Sequence, residues 1–226
     1  MTRLVCTLLA LIKWPLAIAV AAMTPAGAVA FWALCVEAWD HDAWTNPFGI
    51  GFLVACGAWL LLGRLRLVRF WCTLEHELTH ALFAWLTLVP VLELRSTDGT
   101  LQSEDNSEGH VRLGGTNWLI SIAPYFFPTA SAALMVATWA LAAQPTLLAR
   151  GLLGAATAYS MISTWQETHR HQVDLKQVGF GFCWLFLPGA NLLCYGMLLA
   201  NELGGPDRAL RYTVGAFEVT RRWAGI

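Results

Sequence analysis

Residues 70–92 read FWCTLEHELTHALFAWLTLVPVL, an apolar run long enough to cross a bilayer, since a spanning helix needs about 20 mainly apolar residues. Glu75, His76, Glu77 and His80 nevertheless lie inside it. An ionisable side chain at the centre of a span costs about 3 kcal/mol on insertion scales and marks a functional position by default. A lipid-embedded segment that keeps four such groups calls for a chemical reason.

In a helix, His76 and His80 stand four residues apart on one face, one turn above the other. Two imidazoles so placed both reach a zinc ion at about 2.0–2.1 Å. Glu77, next to the first histidine, is the general base of the H-E-x-x-H arrangement. Zinc brings the pKa of bound water down to about 7 and polarises a scissile carbonyl. A nearby carboxylate takes the proton from that water and passes it to the leaving amine. The competing reading is a metal-free polar cluster between helices. Glu75 is open between an acid that orients a histidine and one that snorkels to the interface.

Composition agrees with a membrane setting. Of 226 residues, 57% are hydrophobic and 13% charged, against about 25% charged in soluble domains. The mean hydropathy is +0.53. A net charge of −1 gives no footing for nucleic acid. The six cysteines show no CxxC or zinc-ribbon spacing and read as buried free thiols.

Six spans are expected: 15–36, 48–62, 70–92, 117–143, 146–165 and 178–200. The expected fold is therefore an all-α polytopic membrane protein in one domain. Its N-terminal spans occupy 1–69, a metalloprotease-like core 70–195 and a cytoplasmic tail 201–226. The first apolar stretch also has features of a signal peptide, but Lys13 interrupts it, and a retained N-terminal helix is expected. Placing both termini in the cytoplasm leaves only Arg95, Arg112, Arg170 and Lys176 outside, as the positive-inside rule favours. Pro124 and Pro128 are expected to kink the fourth span or open it. The polar insert 93–117 contains the turn signal TDGT and is read as a solvated loop or a small β-hairpin with an exposed edge, able to hold a peptide by strand addition.

A catalytic zinc site needs a third protein ligand. The metzincin extension would place a histidine at 86, where Leu86 stands. The richest remaining cluster, WQETHRHQVDLKQVGF at 165–180, offers Glu167, His169, His171 and Asp174, and His110 lies in the insert. Asn117 and Asn191 are amides that serve as oxyanion donors or, more commonly, as caps and packing groups.

HELTHAL at 76–82, WLISIAPYFFP at 118–128 and VDLKQVGF at 173–180 together resemble the site-2-protease family of intramembrane zinc metalloproteases, over roughly residues 70–195. The resemblance implies Asp174 as third ligand beside His76 and His80, with Glu77 as catalytic base and Zn2+ as cofactor. It further implies membrane-anchored protein substrates and a bacterial inner membrane. A zinc-binding membrane protein without proteolysis, whether transporter, assembly partner or inactive homologue, is the alternative. Other spans hold almost no ionisable residues, which argues against an ion path.

Overall fold

The computed structural model describes residues 2–40, 45–95, 110–141 and 146–223. The chain is mainly helical. In order it forms α1 (Thr2–Asp40), α2 (Pro47–Leu62), α3 (Arg66–Leu86), strands β1 (Val91–Arg95) and β2 (His110–Leu113), and α4 (Trp118–Ile122) continued by a 3-10 turn (Ala123–Tyr125). Then come α5 (Thr129–Leu141), α6 (Leu147–Glu167), α7 (Val173–Val178) and α8 (Phe180–Trp223).

Local chemistry sets the starts of these helices. Asn46 accepts from the Gly49 amide and Pro47 follows it, so α2 begins with a side-chain cap and a residue already fixed in helical φ. Asn117 accepts from the amides of Leu119 and Ile120, and Thr146 from that of Ala149. Asn117 is thus a helix cap, with its Nδ2 donating to Thr87 Oγ1. Asn191 ties Tyr125 O to α8 at 3.0 Å. Both amides are engaged in packing.

Among the described residues, two helices are long and apolar enough to cross a membrane: α1, and α8 over Phe180–Gly215. The number rises to four if each of two bent pairs is counted as one span: α2 with α3, bent by 120°, and the α4 segment with α5, bent by 85°. Six independent spans are therefore not formed, and the reasons are local. The expected run 70–92 starts earlier, at Arg66, and stops at Leu86, after which Val91 and Leu92 enter β1. The run 117–143 breaks around Phe126–Pro128, where proline denies the preceding residue a helical backbone. Arg150, Tyr159 and several hydroxyl residues dilute the apolar character of α6. Large apolar side chains such as Leu11, Trp32, Leu60 and Leu61 remain exposed, which suits a lipid surround.

α1 and α8 run side by side in the same direction, with Gly27 against Leu192, Gly189 against Val20 and Thr24, and an Arg208–Glu37 ion pair. α8 breaks at Gly204 and Gly205; the latter has φ of 72°, which an L side chain rarely adopts. Beyond the break the helix turns back, so that Tyr212 Oη donates to Leu192 O at 3.0 Å. The segment expected as a cytoplasmic tail is accordingly packed helix, with Ala209 and Tyr212 buried. α2 and α6 touch backbone to backbone: a Cβ on Gly154 would lie 1.9 Å from Phe48 O. Small residues permit this approach, as at helix interfaces in membranes.

One expectation about orientation is overturned. Lys13 Nζ donates to Val178 O at 2.8 Å, which puts Lys13 at the same end of the molecule as α7 and Lys176. Arg150 pairs with Glu202, and Arg208 with Glu37, at the opposite end. Lys13 and Lys176 cannot then lie on opposite membrane faces.

The insert begins and ends as an antiparallel hairpin, with Glu93 opposite Arg112, Leu94 opposite Val111 and a bulge between Val91 and Glu93. The TDGT turn lies outside the described residues. An aromatic core of Phe83, Trp118, Phe126, Phe182 and Phe186 joins α3, α4 and α8, and Leu175 and Val178 of α7 pack into it.

Candidate metal centre

α3 carries His76 and His80 on one face, and α7 brings Asp174 to them. On the six-span path Asp174 precedes the last span at the outer side, about 18 Å by helical rise from the level of His80 in the third. The distance vanishes because α6 ends at Glu167 and the short α7 packs Leu175 and Val178 into the core. The three ligand atoms form a tight triangle. His76 Nε2 and His80 Nε2 are 3.1 Å apart, and Asp174 Oδ2 lies 3.8 and 3.5 Å from them. Ligand atoms about 2.05 Å from a tetrahedral ion stand about 3.3 Å from one another, so the triangle fits a zinc-sized cation.

Hydrogen bonding on the far sides of the rings fixes which nitrogens face inward. His80 Nδ1 lies 2.9 Å from Ile120 O, which only accepts, so His80 carries its proton on Nδ1. His76 Nδ1 is 2.5 Å from Glu167 Oε2 and donates likewise. Both Nε2 lone pairs then point at each other and at a carboxylate. Three acceptors converging on one point without a donor are arranged for a cation. Two nitrogens and one oxygen suit zinc, and three protein ligands leave a position open, as catalytic sites do.

Glu77 is buried beside this triangle and accepts from the backbone amide of Val111 on β2. Its field acts on both histidines and on Asp174. Tyr125 Oη donates to Asp174 Oδ2 at 3.4 Å, and its ring stands edge-on to His76.

The other weighed ligands fall away from the triangle. His169 and His171 are exposed, Glu167 bonds the back of His76, and the side chain of His110 lies outside the described set. Glu75 neither orients a histidine nor reaches an interface. It is half-buried between helices, where Oε1 accepts from the Ala130 amide at 2.9 Å and from Ser160 Oγ at 3.1 Å. Tyr125 and Lys13 carried no sequence signal for the site, because only the fold brings them to α7.

Compared with protein-family models, curated proteins and solved structures, the chain matches none.

Proposed function

We propose that this chain is an intramembrane zinc metalloprotease of the site-2-protease type, hydrolysing peptide bonds of membrane-anchored protein substrates. The observation that supports it most is the convergence of His76, His80 and Asp174 beside the glutamate of an H-E-x-x-H helix, in a chain with membrane-length apolar helices.

A bound zinc ion supplies a Lewis acid for the scissile carbonyl and acidifies a water. The chain's own residues do the rest. Glu77, buried and held by the Val111 amide, takes the proton of the attacking water and delivers it to the leaving amine. The substrate must be extended at the cut, since a helical carbonyl is hydrogen-bonded and shielded. The hairpin of β1 and β2 is suited to hold it as an added strand. The 85° bend between the 3-10 turn and α5 lies beside Tyr125, and it is the place we assign to the entry of water and substrate. We place the protein in a bacterial inner membrane. We assign the cytoplasmic side to the end that carries Lys13 and Lys176.

The test is cleavage of a single-span peptide with a helix-breaking centre by the purified protein in detergent, with and without zinc. Zinc-dependent cutting that disappears in Glu77→Gln is expected. Equal cutting by the Glu77→Gln protein would overturn the assignment.

A further inference from the structure

Glu167 is the last residue of α6, at the end where carbonyl groups gather and a negative charge is disfavoured. Nothing in helix chemistry keeps an acid there. Its carboxylate instead lies 2.5 Å from His76 Nδ1, while its side chain is about one-fifth exposed. Behind it opens a cavity lined by Trp59, Arg69, Cys72 and Thr73.

We propose that Glu167 is a positioning residue that acts through His76: it holds the proton on Nδ1, fixes the ring plane and presents Nε2 to the metal. The proposal rests on the metal-site reading above. A histidine that ligates a metal commonly donates its other N–H to a carboxylate or carbonyl, and this sets tautomer and ligand basicity. The chain uses both kinds of acceptor. His80 relies on a backbone carbonyl, Ile120 O, which the fold supplies whatever the side chain there. His76 relies on a side chain from another helix, so its orientation depends on the single position 167. Without that acceptor the ring is free to turn about its bonds, or to carry its proton on Nε2 and lose the lone pair the metal needs. Glu167 itself stands behind the ring, outside the triangle of ligand atoms.

The test is zinc affinity by chelator competition, with the visible absorption of the cobalt-loaded protein as a record of coordination. Wild type, Glu167→Ala, Glu167→Gln and Asp174→Ala are compared in detergent, with thermal unfolding as the folding control. One zinc per wild-type chain is expected, with Glu167→Ala about 10–100-fold weaker but still tetrahedral by its cobalt spectrum. Glu167→Gln, which keeps an acceptor oxygen, should fall between them and stands in if the alanine variant does not fold. Wild-type affinity in both variants overturns the positioning role. A changed cobalt coordination number in Glu167→Gln overturns it too, since Glu167 would then be a ligand. Absence of metal from wild type after reloading overturns the metal-site reading itself.

Discussion

Lys13 on α1 donates to the carbonyl of Val178, the last residue of α7, at 2.8 Å, with its ammonium 5.0 Å from the centre of the Phe182 ring. A lysine that interrupts an apolar helix thus closes the C-terminal end of the segment that carries Asp174. A cation at a helix C-terminus also meets the favourable end of the dipole.

Replacing Lys13 by Met keeps the stem and removes the charge. Because a hydrogen bond to a charged group contributes about 1.5–3 kcal/mol, the thermal midpoint in detergent should fall. α7 should loosen before the bundle does, so zinc affinity should drop several-fold. Unchanged affinity together with unchanged stability would show that α7 is held by Leu175 and Val178 alone.

The zinc ligands divide from the base by what their loss does. Asp174→Ala should remove the carboxylate and with it stoichiometric zinc, as measured by metal analysis of the purified protein. Glu77→Gln should retain zinc while slowing cleavage about 10²–10⁴-fold, the range for a lost general base. Zinc lost from the glutamine variant would place Glu77 among the ligands.

Legibility differed between the site and its frame. His76, Glu77 and His80 could be read because helical spacing alone places them, whatever the tertiary fold. Asp174 needed the family resemblance, since a residue 94 positions beyond His80 has no local relation to it; α7 supplies that relation only by packing into the core. The span count was less legible. Hydropathy adds up apolar residues but does not register a 120° bend at Gly63–Leu65 or an 85° bend before α5. The separation of Lys13 from Lys176 failed for the same reason: charges were assigned along a six-span path, whereas the Lys13–Val178 contact brings Lys13 beside the helix that carries Lys176.

The α2–α6 contact should be intolerant of bulk. A side chain at Gly154 would begin 1.9 Å from Phe48 O, and one at Gly51 would begin 2.0 Å from Gly151 O. Backbone cannot yield as a flexible side chain does. Gly154→Val should therefore cost more than the ~1–3 kcal/mol of ordinary overpacking, read as a lowered unfolding midpoint or failure to fold. Gly57→Val, on α2 and facing open space, is the control and should be far milder.

Glu75 gives the sharpest separation of structure from chemistry, because it stands next to the metal motif without serving it. Its Oε1 receives the Ala130 amide at the start of α5 and the Ser160 hydroxyl of α6, so one oxygen pins three helices. Truncation to Ala takes the acceptor from the half-buried Ala130 amide, at about 1–3 kcal/mol, and leaves the Ser160 hydroxyl only its contact with Ser131 Oγ. Glu75→Ala should accordingly unfold at a lower temperature while binding zinc with wild-type stoichiometry. Glu75→Gln, which keeps an acceptor oxygen, should recover most of the stability. Loss of zinc from a folded Glu75→Gln protein would instead place Glu75 in the metal site, and the division of labour along EHELTH would have to be redrawn.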